Sequence, residues 1–265
     1  MGDWLLNLPM PWMALVIFLT SYLVAGSIGF VVTTLAVNEL AKGFKAVSPG
    51  MLPPLGILFA LLVGFIAVEV WGNFDKAKGA VMTEASALRA VVLLAGAFPD
   101  EQRTRIYALV NRHIDESVNK EWPKMTQRRA TLATLPTALI EALHVTLGLK
   151  PADDSQRAVQ LEMVKALHTA MDARRRRIVI SESSVGAVKW VGILLQGLCV
   201  LIAIAMVHSD NRLACAISLT LFATGIALSV LLIAAYSRPF TGQTSVGPDL
   251  LRQVITSEAT VGSGR

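Results

Sequence analysis

The residues whose types and spacing suggest chemistry lie on one stripe of an otherwise apolar run. Phe59, Leu62, Ile66 and Glu69 recur at steps of three, four and three, which at about 100° per residue puts them on one face of an α-helix. A pore uses such a face as an apolar constriction closed by an acidic ring. Lipid contact explains Phe, Leu and Ile equally well. Glu69 asks for more, because an ionisable group in an apolar segment needs a partner or water. Lys189 and Arg238 fall at a similar depth in the other apolar segments, so a structural ion pair stands against the pore-facing reading.

The second charged feature is the run Arg174, Arg175, Arg176 and Arg177, shortly before the third apolar stretch. Such a run faces water and fixes topology, or it binds anionic lipid head groups. Enzyme chemistry finds no foothold. There is no HExxH, no Gly-rich phosphate loop, no GxSxG and no Cys/His cluster. His113, His144, His168 and His208 are scattered without partners at ligand spacing, so no catalytic residue, metal site or cofactor is expected. Asp115-Glu116 and Asp153-Asp154 belong on polar faces or at helix starts. A pI of about 9.4 is explained by basic residues on the inner side of a membrane before any nucleic-acid partner.

These residues are positioned by four long apolar stretches around one charged block. The stretches run from about Trp12 to Val37, Met51 to Trp71, Gly186 to Val207 and Leu213 to Tyr236. Each reaches the roughly 20 residues that a helix needs to cross a bilayer core. They are continuous rather than alternating, and only helices or closed barrels satisfy their backbone in lipid, so they read as helices. A 54% hydrophobic content and a mean hydropathy of +0.56 agree. Asp3 is the only charge before the first run, which therefore lacks a basic n-region and is too long for a signal peptide. Cys199 and Cys215 fall at different depths, too far apart for an easy disulfide. Small residues repeat every four positions in the first helix (Ser21, Ala25, Gly29, Thr33) and the second (Gly56, Ala60, Gly64). Such stripes let helix backbones approach closely, within one subunit or between subunits.

The block 72–187 carries 17 Lys and Arg against 13 Asp and Glu. Lys76, Lys78 and the four arginines flank the membrane on its side, against Lys42, Lys45 and Arg212 opposite, which makes the block and both termini cytoplasmic. The outer loops are short, one around Ala41–Pro49 and one around Ser209. The block itself is helical in pattern. The second helix continues to about Ala97, and Phe98-Pro99-Asp100-Glu101 breaks the chain and starts a new helix. Ile106, Leu109, Val110, Ile114 and Val118 form an apolar stripe, ended by Trp122-Pro123. A helix from about Met125 to Leu149 follows, interrupted or started again at Pro136, and the last long helix spans Ala152 to Ile180. The expected architecture is all-α: a transmembrane pair over 1–71, a cytoplasmic helical bundle over 72–185 inserted between helices two and three, a second transmembrane pair over 186–240, and a short flexible tail over 241–265.

The stretch GFIAVEVWGNFDKAKGAVMTEASALRAV (Gly64 to Val91) ends a transmembrane helix in an aromatic-rich turn and continues into an Ala-Lys helix. Together with Glu121-Trp122, Arg174–Arg177 and the closing SRPFTG (Ser237 to Gly242), it resembles the DUF4239 or bestrophin-like membrane proteins over most of the chain. Bestrophins are pentameric anion channels with four transmembrane helices and a helical cytosolic region; their second helix lines the pore and carries an apolar neck. The resemblance implies a homo-oligomer in the lipid bilayer, an inorganic ion as permeant species and a bacterial cytoplasmic membrane as location. It points to Phe59, Leu62 and Ile66 as neck positions, though their pattern does not reproduce the bestrophin neck. The acidic calcium clasp of animal bestrophins has no counterpart here. A lumen-facing Glu69 favours cations, so anion selectivity is not carried over. The leading expectation is thus a homo-oligomeric ion channel lined by helix two. The alternative is a non-conducting membrane adaptor whose cytoplasmic bundle binds a protein partner, favoured by the lack of a polar stripe through any membrane helix.

Overall fold

The computed structural model describes residues 3–6, 8–36 and 39–261. Val37, which closes the first apolar stretch, and residues 262–265 of the expected tail lie outside the described residues, as do the side chains of Lys42 and Lys45. The helices run α1 (Asp3–Leu6), α2 (Met10–Leu35), α3 (Glu39–Ala95), α4 (Asp100–Glu116), a π-helical turn (Ser117–Glu121), α5 (Trp122–Thr126), α6 (Thr137–Leu147), α7 (Asp154–Ser181), α8 (Ala187–Val207), α9 (Arg212–Tyr236) and α10 (Asp249–Val261). Among the described residues there is no β-strand. Four helices are long and apolar enough to cross a membrane: α2, α3 from Pro49 onward, α8 and α9. The protein is an all-α membrane protein.

The chain divides into two compact units. The first holds residues 1–72, 184–238 and 242–244. Its core comes from α2 (Met13, Ile17, Ala25), α3 (Phe59, Ile66, Val70), α8 (Ile193, Val200) and α9 (Leu219, Ala223, Ile233). Helix α2, at 26 residues, is about 39 Å long and exceeds a hydrocarbon core of about 30 Å. Gly29 allows a close approach to α9: a Cβ there would lie 2.8 Å from Leu219 Cδ1, so a larger residue makes the Leu219 side chain give way. The small-residue stripe of the first helix is therefore used inside the subunit. After the turn at 208–211, α9 starts on Asn211, whose Oδ1 accepts from the Leu213 and Ala214 amides at 3.1 Å each, satisfying two of the helix's open donors.

The second unit holds residues 73–183, 239–241 and 245–265. In α3, Ala77, Val81, Leu88, Val91 and Ala95 are buried at steps of four, seven, three and four, a helical stripe facing α4 residues Ile106, Val110 and Ile114, α6 residues Leu139 and Ala142, and α7 residues Met163, Leu167 and Ala170. The expected break stands: α3 ends at Ala95 and α4 begins at Asp100 behind Pro99. Asp153 caps α7 by accepting from the Gln156 amide at 2.7 Å, and Gln156 Oε1 reaches back to the Ala152 amide.

Three expectations are corrected. The stretch Ala41–Pro49 is no loop, because α3 is helical from Glu39 and keeps Pro49, Pro53 and Pro54 inside it; each proline withholds one amide bond without ending the helix. Trp122-Pro123 does not end α4. The chain passes through the π-helical turn into α5, with Pro123 in the first turn where its missing amide costs nothing. The described part of the expected flexible tail is not one either. Residues 249–261 form α10, whose Leu251 and Val254 are buried in the second unit's core.

Leu251→Ala should therefore lower the stability of the purified protein by about 2–5 kcal/mol, as for other fully buried leucines, read as a fall in the thermal or denaturant unfolding midpoint. An unchanged midpoint would return the segment to the role of a passive tail.

Candidate functional site

In the first unit, two of the four residues expected to line a pore, Phe59 and Ile66, pack inward. Phe59 is only 8% exposed and Ile66 3%. The Phe59 ring lies tilted on Phe222 with centroids 5.9 Å apart. It also reaches Gly197 on α8, where an added Cβ would sit 3.5 Å from Phe59 Cε2. Leu62 is half-buried and approaches Gly192 in the same way, at 3.6 Å. The physical reason is fit: two glycines on α8 leave hollows, and the bulky stripe of α3 fills them. Glu69 pairs with Lys189, whose Nζ donates to both carboxylate oxygens. Both side chains are close to half exposed. The pair cancels the charge that an acidic ring would need.

The opposite face of α3 is open. Ile57, Leu61, Phe65 and Val68 recur at steps of four, four and three, and all are exposed, Phe65 at 72% and Val68 at 69%. A Cβ added at Gly64, beside this stripe, or at Gly56, on another side of the helix, meets nothing within 4 Å. The small-residue stripe of this helix therefore finds no partner among the described residues of its own chain.

The second unit holds a buried charge cluster that the sequence reading did not find. Arg177, fully buried, donates Nε to Glu84 Oε2 at 2.7 Å and Nη2 to Glu84 Oε1 at 3.1 Å, a bidentate pair. Its Nη2 also reaches Glu121 Oε2 at 3.0 Å and Ser117 Oγ at 3.4 Å, and Nη1 reaches Met125 Sδ at 3.1 Å. The guanidinium carbon stands 4.7 Å from the centre of the Trp122 ring, a cation–π contact. Trp122 is held in turn by Phe240 edge-on and by the Val246 carbonyl, which accepts from its indole N–H at 3.3 Å. Arg174 donates to Glu121 through Nε at 2.8 Å and through Nη2, and to the Thr134 carbonyl at 2.9 Å. His113 Nε2 lies 3.0 Å from Glu84 Oε1; an ionised carboxylate only accepts, so that nitrogen carries the proton.

Burial drives the Glu84 carboxyl upward, but the Arg177 guanidinium and the His113 hydrogen bond outweigh it and hold the pKa at about 2. For Arg177, burial works against the charge, and Glu84 and Glu121 overcome it, raising the pKa above its ordinary value. Two carboxylates and two guanidiniums thus alternate with no net charge. The arrangement fixes geometry. Among the described residues, no three His, Cys, Asp or Glu side chains converge as a metal site.

The arginine run is corrected accordingly. Arg174 and Arg177 are buried in this cluster, while Arg175 and Arg176 stay exposed. Positions three apart share a helix face, so a run of four must straddle both sides of α7. Glu84 also left a trace: it occupies a core position in the stripe Ala77, Val81, Glu84, Leu88, Val91.

A sequence profile described as the Bestrophin-like domain matches residues 19–251. Solved structures of a bacterial bestrophin homologue from Klebsiella pneumoniae share the fold. One, phased on zinc, has a TM-score of 0.68 at 14% identity, covering 95% of this chain and 99% of that one. Two point variants of the homologue give 0.69 and 0.70, both at 14% identity and covering 95% and 94% of this chain and 99% of theirs. No curated protein matches by sequence.

Arg177→Met should destabilise by about 3–5 kcal/mol, because it strands buried carboxylates. The double variant Glu84→Leu, Arg177→Met should lose less than the single one, since no carboxylate is then left facing an apolar Met at that contact. Equal losses in a denaturant titration would show that the pair is not coupled. The pH dependence follows from the depressed Glu84 pKa: its contribution is complete above about pH 4.5 and is lost as pH falls towards 2. Glu84→Gln should flatten this acid limb of stability against pH; an unaltered limb would exclude Glu84 as its source.

Proposed function

The chain belongs to the bestrophin-like family, and from that premise we propose that it is a homo-oligomeric ion channel whose pathway is lined by α3. The observation that carries the proposal is the two-sidedness of α3 in the first unit. One face, Phe59 and Ile66, is spent on the subunit's own core. The other presents Ile57, Leu61, Phe65 and Val68, and these take the place of Phe59, Leu62 and Ile66 as lumen-facing residues. Subunits arranged around an axis would bring this stripe together as an apolar constriction of the kind that gates by dewetting. The vacant space at Gly56 and Gly64 supports close approach of a neighbouring helix.

Glu69, neutralised by Lys189, supplies no acidic ring, so the expected cation preference loses its basis and selectivity is left unassigned. The second unit and both termini are placed on the cytoplasmic side. Support comes from the excess of basic residues in 72–187 and from the exposure of Lys76, Lys78, Arg175 and Arg176. These four, without Arg174 and Arg177, remain the residues available for topology and lipid head groups. No enzymatic role is assigned.

The test is ion flux through purified protein in liposomes, paired with the mass of the detergent-solubilised complex by light scattering. Phe65→Ala should raise flux several-fold by widening and wetting the constriction. Phe59→Ala should mainly lower thermal stability, by about 3–5 kcal/mol for a lost core aromatic. A monomer that passes no ion would bring forward the non-conducting adaptor. An oligomer whose flux ignores Phe65 but follows Phe59 would put the lumen back on the other face.

A further inference from the structure

A cleft of about 420 Å³ opens between α2 and α9 within the first unit. Its origin is in the sequence. Gly29 brings the two helices together against Leu219, and Tyr22 bonds Thr224 at 3.0 Å deeper down. Beside these contacts, Gly26 on α2 and Ala216 and Thr220 on α9 are too small to close the gap. A Cβ built on Gly26 meets no atom within 4 Å. Along α2 the lining runs from Tyr22 to Thr33, eleven helical steps or about 16 Å of rise. That is close to half of a hydrocarbon core of about 30 Å, the depth of one leaflet.

The mouth of the cleft is positively charged. Arg212 lines it and is the first residue of α9, so it stands at the membrane boundary end of the helix. It is exposed and makes no ion pair among the described residues, and no carboxylate lines the cleft. The first turn of α9 also has no acidic residue to complement the positive end of its helix dipole. Asp210, just before the cap, is the one acid near that end in sequence; the exposed Arg212 guanidinium is available to an external anion, and at the edge of a bilayer the abundant anion is phosphate. Guanidinium and phosphate match in charge and in bidentate geometry.

We propose that this cleft binds one anionic phospholipid, with an acyl chain lying between α2 and α9 and the headgroup phosphate on Arg212. The small residues provide shape and Arg212 provides the headgroup preference. The site depends on the membrane placement of α2 and α9 and not on ion conduction, so it stands or falls independently of the channel proposal.

The full-length protein is equilibrated in mixed detergent micelles with phosphatidylglycerol or phosphatidylcholine, and bound lipid is read by native mass spectrometry. The wild type should retain phosphatidylglycerol about fivefold better, the scale of one basic residue at an anionic surface. Arg212→Gln should abolish that preference while leaving acyl-chain binding. Gly26→Leu should reduce binding of both lipids with little change in melting temperature, because its side chain enters empty space. Excess inorganic phosphate should not displace the lipid; if it does, the site holds a free anion and the lipid assignment fails. Equal retention of the two lipids by the wild type, or a preference that survives Arg212→Gln, overturns the headgroup role. Unchanged lipid together with loss of the oligomer in Gly26→Leu would assign the cleft to a second copy of the chain.

Discussion

A guanidinium with no access to water must be surrounded before the second unit can close, and Arg177 is such a group. Its partners come from α3 (Glu84), the π-helical turn (Ser117, Glu121) and α5 (Trp122, Met125). Each of these is at the right distance only if four stretches of chain are in register at once. Removing two or more charges from water costs several kcal/mol per ion, and their mutual attraction returns that only in good geometry. The net stability from such a cluster is therefore modest, whereas an incorrect arrangement is strongly penalised. We read the cluster as a device for selecting one packing of helices whose remaining core, rich in Ala, Val and Leu, would tolerate several.

The same logic explains two irregular features around it. An α-helix run straight through Ser117 to Thr126 would present successive residues at fixed 100° steps. The π-helical turn inserts extra chain at this point, and Glu121 and Trp122 then both reach Arg177. Residues 239–241 and α10 join this unit rather than the first, because Phe240 closes over Trp122 and Leu251 and Val254 extend the core.

Legibility in the sequence followed the strength of the local physics. Membrane crossings are long unbroken apolar runs, and all four fall where hydropathy placed them. Helix starts after Pro99 and near Asp153 were readable because proline and caps act within a few residues, whereas the helix expected from about Met125 gives way to turns, and α6 begins only at Thr137. The bestrophin-like fold was legible through the family resemblance, which no single motif carried by itself. The face of α3 that packs inside the subunit was not legible. On α3, the stripe Phe59, Leu62, Ile66 and the stripe Ile57, Leu61, Phe65, Val68 are equally apolar, so periodicity cannot tell which one packs inward. The answer lies in Gly192 and Gly197 on α8, more than 120 residues away. The arginine run misled for a related reason: four like charges suggest one role, but a helix divides them between its two sides. Glu121 is distant from its partners in sequence, and no local rule links it to Arg174 or Arg177.

Helix α3 thus obeys two different solvents along one continuous element. In the first unit it carries an uncharged run in which glycines decide how closely neighbours approach, since burial of apolar surface gives no driving force within lipid. In the second unit it follows the rule for water: a stripe at steps of three and four is buried, and Lys76, Lys78 and Arg89 lie on exposed positions. Glu69 with Lys189 stands near the change from one regime to the other, where a charge pair can keep partial access to water. At 14% identity to its structural relatives, few individual side chains are shared.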